Sequence, residues 1–142
     1  MTKQEIFESI TKNPAFFLAT VDDNKPHVRG MLLYKADENG IIFHTGSFKD
    51  VYEQIKKNPN AELCFNCQGT QIRISGQLEI IDDIKLKQEI FNSPTRKFLR
   101  DWNDNNLFND PYKDLIVLNL KHGLATTWTM ADNFSQKTYI EL

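Results

Sequence analysis

Residues 29–49 read RGMLLYKADENGIIFHTGSFK, and the fold turns on how this stretch is parsed. Apolar runs stand on either side of Asn39-Gly40, a dipeptide that suits the left-handed positions of a tight hairpin turn. The pattern predicts a strand over His27–Lys35, a turn over Asp37–Gly40 and a second strand over Ile41–Thr45. Arg29 opens the first strand, while Thr45, Ser47 and Lys49 gather at the end of the second. Ser47, with Asp50 three residues on, reads as the N-cap of a helix that places Val51 and Ile55 on one face. A guanidinium, two hydroxyls, an ammonium and a helix N-terminus then converge on one anion of phosphate type.

Outward from this stretch the chain continues in the same idiom. Thr2-x-x-Glu5 ahead of Ile6, Phe7 and Ile10 is a capping box on a short first helix, ended by Asn13-Pro14. Ala15–Val21 reads as a strand turned by Asp22–Lys25. Asn58-Pro59 closes the helix after Lys49, and Ala61–Cys67 with Thr70–Ile81 make a hairpin around Gln68-Gly69. Asp82-Asp83 caps a helix over Ile84–Phe91, and Pro94 suits the first turn of another through Leu99. Asn103–Tyr112 is polar and reads as a surface loop. Asp114–Leu120 and Leu124–Met130 are expected to form a last hairpin through His122-Gly123. The fold class is mainly β with peripheral α: a six- to seven-stranded antiparallel split β-barrel with short helices.

Composition narrows the function classes. With 142 residues, 40% of them hydrophobic and 25% charged, residues 1–142 form a single domain. A net charge of −2 gives no global attraction to nucleic acid or to an anionic membrane, so neither is an expected partner. No run approaches the ~18 apolar residues of a membrane span, and the first residues lack the apolar centre of a signal peptide. A cytoplasmic location is expected. Cys64 and Cys67 form a lone C-x-x-C, which suits a redox pair or half a zinc site. It lies on a strand, though, where residues three apart face opposite ways, and two unpaired thiols in a reducing compartment is the preferred reading. His27, His44 and His122 are scattered, so no metal site is expected. No paired-carboxylate, Ser-His-Asp or glycine-rich nucleotide signature stands out, and no catalytic residue is named.

The pieces Ala19-Thr20-Val21, Pro26-x-Val28-Arg29, the RGMLLY strand, Asn39-Gly40, Phe43-His44-Thr45, Ser47-x-Lys49 and Lys57-Asn58-Pro59 stand in order, followed by Ala61–Phe65 and Ile74–Glu79. Together they resemble the pyridoxamine-5′-phosphate-oxidase-like family of FMN-binding split barrels, over about two thirds of the chain. The resemblance implies FMN held at a homodimer interface, each flavin site built from both protomers. It places Arg29, Gly30, Met31 and Leu32 along the flavin, with Arg29 reaching the phosphate. His44, Thr45, Ser47 and Lys49 fall at the phosphate end. Gln71, five residues before Gly76, matches a flavin-contacting glutamine, and Trp128 a late-strand aromatic that covers the ring. Trp102 could line a substrate mouth. Phe48 stands where the family's oxidases carry an arginine, and nothing after Ala125 matches the segment with which they grip their substrate. Vitamin B6 oxidation is therefore not expected. The chain looks more like the short nitroimidazole-reductase-like and general-stress-protein-like members. The expected function is an FMN-dependent oxidoreductase passing electrons from NADH or NADPH to a small-molecule acceptor. The alternatives are non-catalytic binding or sensing of a flavin, deazaflavin or haem, and a structural dimer with an empty site.

Overall fold

A computed structural model describes all 142 residues. The first helix, α1 (Lys3–Lys12), starts at the expected capping box: Thr2 Oγ1 accepts the Glu5 N–H at 3.1 Å and the Glu5 carboxylate accepts the Thr2 N–H at 2.7 Å. Strands β1 (Ala15–Asp22), β2 (Lys25–Asp37) and β3 (Gly40–Gly46) follow, then α2 (Asp50–Lys57), β4 (Asn60–Cys67) and β5 (Thr70–Ile81). Helices α3 (Ile84–Asn92), α4 (Lys97–Asp104) and the one-turn α5 (Pro111–Asp114) lead into β6 (Leu115–Leu120), β7 (Leu124–Trp128) and the two-residue β8 (Ile140–Glu141).

Six strands close a barrel in the order β1–β2–β3–β6–β5–β4, with β4 returning to β1 and every pairing antiparallel. The mainly-β split barrel is thus as expected, with β7 and β8 added outside the closed ring. Gly40 adopts φ 135°, the conformation the hairpin requires. A side chain there would also run into Asn119, so the turn and its packing both exclude larger residues.

The expected hairpin between the last long strands does not form. One edge of β6 is paired with β3 and the other with Leu78–Ile81 of β5, so it has no edge left for β7. Instead β7 lies end to end with β6 along the same side of β5, opposite Gln71–Ser75. His122, at φ 56°, makes the bend between them.

The core explains the sequence patterns. Phe16 stacks on Phe65 at 4.7 Å and meets Phe43 edge-on at 5.1 Å, inside a cluster that also buries Leu18, Leu63, Ile72 and Ile74. All six residues of β6 are buried, because its outer face is roofed by α3 and α4 through Ile90 and Leu99. That two-sided burial is why LIVLNL carries no polar alternation. Cys64 and Cys67 point to opposite faces as expected: Cys67 is buried against the Ser9 carbonyl and Cys64 is half-exposed, both as free thiols. No helix is long and apolar enough to cross a membrane.

Candidate functional site

A cleft of about 1030 Å³ opens between the barrel and helix α4. Its barrel wall comes from β1 to β5 with Leu115 of β6, and its outer wall from Phe98 and Trp102 of α4, with Phe108 after it. Eight of the ten residues assigned from the sequence border it: Gly30, Met31, Leu32, His44, Thr45, Lys49, Gln71 and Trp128. Gln71 and Trp128 are direct partners across β5 and β7, so the strand pairing that overturned the expected hairpin is what delivers Trp128 to the cleft.

The local sequence sets each position. Over Lys25–Leu32, β2 pairs only with β1; pairing with β3 begins at Leu33, where a register shift before Lys35 marks a bulge. Gly30 and Met31 therefore present backbone and a thin wall to the cleft. Beyond β3 the chain turns at Gly46, where an added Cβ would lie 2.7 Å from the Phe48 ring. Only glycine lets that ring lie over the strand end. Phe48 is 63% exposed, and Lys49 sits beside it with its ammonium 5.7 Å from the ring centre and no carboxylate partner.

One expectation is corrected. Ser47 is not the helix cap, since the helix starts at Asp50 and its N-cap is Lys49, which has no side-chain capping bond. The Ser47 hydroxyl donates instead to Asp114 Oδ1 at 3.2 Å, and Ser47 does not border the cleft. Arg29 also stays outside the cleft lining. Its Nη1 donates to Thr20 Oγ1 at 2.8 Å and the Leu18 carbonyl at 3.1 Å, and its Nη2 to Gln54 Oε1 at 2.6 Å. Burial lowers its pKa, and nearby Asp50 opposes that shift.

No local pattern marks Arg96, which follows Pro94 in a single 3-10 turn and is 2% exposed. Its Nε donates to His44 Nε2 at 2.8 Å and one Nη to the Leu33 carbonyl at 2.8 Å, so it pins the bulge of β2 to β3. Burial, then the Arg96 cation, pull His44 down to a pKa of about 4. Burial and the Glu89 carboxylate, which accepts the Tyr34 hydroxyl at 2.6 Å, push Tyr34 up to about 12. Burial also raises Cys64, which borders the cleft as a thiol rather than a thiolate.

The family model for pyridoxamine 5′-phosphate oxidase matches residues 2–126. The chain belongs to that family. Among relatives, it is 27% identical over 112 residues to general stress protein 26 of Bacillus subtilis, covering 74% of this chain and 78% of that protein. It is 40% identical over 83 residues to a pyridoxine/pyridoxamine 5′-phosphate oxidase of Psychrobacter cryohalolentis, covering 56% of this chain. There the family likeness spans only 38% of the oxidase's length. Two solved structures share the fold of this family member. One is a NimC/NimA family protein of Clostridium acetobutylicum (TM-score 0.74, 20% identity, 98% of this chain and 92% of that one). The other is a pyridoxamine 5′-phosphate oxidase-related, FMN binding protein of Nostoc punctiforme (TM-score 0.69, 20% identity, 99% and 95%).

Proposed function

We propose that this family member binds FMN in the cleft and serves as a flavin-dependent oxidoreductase for a small acceptor, with NADH or NADPH as donor. The observation that carries the reading is the convergence of Gly30, Met31, Leu32, His44, Thr45, Lys49, Gln71 and Trp128 on one cavity. The donor set suits a phosphate-bearing flavin. Lys49 offers an unpaired ammonium and Thr45 a hydroxyl, beside the start of α2. Gly30 and Met31 leave a flat wall for a ring, and Gln71 an amide for its polar edge. When bound, the flavin would supply the hydride and electron chemistry, so the chain needs no acid or base of its own. What the protein does is orient, exclude water and set polarity: Trp128 and Met31 cover apolar surface, while Lys49 holds the charged end.

The site is proposed to be shared in a homodimer. Phe17, Val28 and Leu32 stand 61%, 65% and 36% exposed on adjoining β1 and β2, and Phe17 and Leu32 border the cleft together with Trp128. An apolar face of this kind on an otherwise charged chain suits a partner surface.

The deciding experiment is a visible spectrum of the purified protein, with mass identification of whatever denaturation releases. Flavin absorbance that bleaches with NADH or NADPH is expected. A colourless protein that takes up no FMN at micromolar concentration would reject the reading.

A further inference from the structure

Arg96 is a buried cation without a carboxylate. Its five N–H groups are all spent: Nε on His44 Nε2, one Nη on the Thr95 carbonyl and hydroxyl, the other on the carbonyls of Leu32 and Leu33. The ring faces of Tyr34 and Phe98 flank the guanidinium at 5.4 and 5.8 Å. Four of these acceptors are ordinary oxygens. The fifth is a ring nitrogen, and it must offer a lone pair to receive an N–H.

That requirement fixes the proton on His44. Arginine stays charged and has no acceptor capacity, so the bond cannot reverse its direction. Nε2 is therefore bare and the imidazole proton sits on Nδ1. Protonating Nε2 would oppose two N–H donors and place a second cation beside the first. No acid stands ready to relieve this: Glu89 is held by the Tyr34 hydroxyl, and Lys49 is the other charged side chain on the cleft. Nδ1 has no protein partner. The one buried side-chain polar atom lacking a partner is Asn119 Oδ1, so the Nδ1–H of His44 opens on the cleft it lines. The His44 ring lies 6.3 Å from that of Phe98, which meets Trp102 edge-on at 5.0 Å, and Trp102 meets Phe108 at 6.3 Å. About 1030 Å³ is at the upper end of what one drug-sized ligand fills, leaving room on this side beside a flavin.

We propose that Arg96 is a positioning residue that locks His44 as a neutral Nδ1–H donor, and that this donor selects a substrate carrying a carbonyl- or carboxylate-type oxygen on a ring packed against Phe98 and Trp102. The lock stands on its own geometry; the substrate half rests on the flavin reading above. A site built to donate one hydrogen bond discriminates strongly against an analogue that cannot accept it.

Histidine-specific ¹⁵N labelling and long-range ¹H–¹⁵N spectra test the lock without any ligand. The chain has three histidines, and His44→Gln assigns the signal. His44 is expected to show protonated Nδ1 and bare Nε2 from pH 8 to 5, and Arg96→Met to shift it toward the Nε2–H form with ordinary titration. A wild-type signal of Nε2–H type, or one that titrates between pH 8 and 5, overturns the lock even if Arg96→Met does not fold. For the substrate half, FMN-loaded protein is titrated with 9-fluorenone and with fluorene, followed by tryptophan fluorescence. Fluorenone is expected to bind about tenfold tighter, with the preference lost in His44→Phe and kept in His44→Gln. Equal binding by wild type, or a preference surviving in His44→Phe, overturns it. If the protein takes up no FMN, the flavin reading fails by itself, and the same probe pair on flavin-free protein still decides the donor's role.

Discussion

Ser47 is tied to Asp114 twice, by its N–H to the Asp114 carbonyl at 2.8 Å and by its hydroxyl to the carboxylate at 3.2 Å. The other carboxylate oxygen accepts the N–H of Asn109 at 2.9 Å. One aspartate therefore sews the turn after β3 to the chain entering β6, and so holds Phe48 and Lys49 over the cleft. Asp114→Ala should cost about 1–3 kcal/mol, because it leaves several donors unpaired at once. Urea unfolding reads the stability, and FMN titration is expected to show weaker binding although Asp114 does not border the cleft. Unchanged flavin affinity would show that the tether does not set the site.

Lys49→Ala should weaken FMN binding by roughly 1.5–3 kcal/mol if its ammonium makes a charge-assisted bond to the phosphate. Fluorescence titration at two salt concentrations checks this, since the wild-type affinity should also fall with salt while the variant's should not. A variant that retains FMN like wild type would move the phosphate elsewhere.

Gly46→Ala separates packing from binding. The new methyl would meet the Phe48 ring at 2.7 Å, but that ring is exposed and free to swing away. Stability should therefore change by about 1 kcal/mol or less. Ligand affinity should change more, because the displaced ring re-forms the cleft wall. Calorimetry and FMN titration on the same preparation distinguish the two effects.

Stability should fall with acid through His44. Its folded pKa of about 4 lies below the ordinary imidazole value of 6.5, so between those values the unfolded chain binds the extra proton. The contribution is present above the unfolded pKa and is lost as pH falls from about 6.5 toward 4. Its size is on the order of 3 kcal/mol for a group this buried. Urea midpoints at pH 7 and 4.5 should converge less in wild type than in His44→Gln, in which that part of the slope is absent. Equal slopes would count against a buried neutral imidazole.

Phe17→Glu with Val28→Glu should yield monomers and lower flavin retention, if the exposed face of β1 and β2 is the shared wall. Sedimentation against the 16.5 kDa chain mass measures the first outcome, and absorbance the second. Wild-type protein sedimenting as a monomer with flavin bound would end the shared-site proposal.

What could be read beforehand was set by short-range chemistry. The Thr2 box, the Asn39-Gly40 turn and the alternation of β4 and β5 declare themselves over a few residues, so the barrel strands were legible. The placement of β7 was not, because it depends on β3 having already taken the other edge of β6, which no local pattern records. The Ser47 cap failed for a similar reason: a distant aspartate outcompeted the helix for its hydroxyl. Eight cleft residues could be assigned because a family pattern carries them in order. Arg96 could not, since a charged residue after a proline looks like surface until its partners are known.

The barrel closes through β6 and leaves β7, β8 and the segment between them as an appendage on half of β5. That division is a licence for change. The appendage's exposed residues can change, including Trp128 and Met130 at the cleft, while Ala125 in the barrel core and Gly123, where a Cβ would strike Leu120 and Ile74, stay fixed. Lys49 and His44 stand on the closed ring and Trp128 and Met130 on the chain beyond it, so the charged wall of the cleft and its outer cover can vary independently.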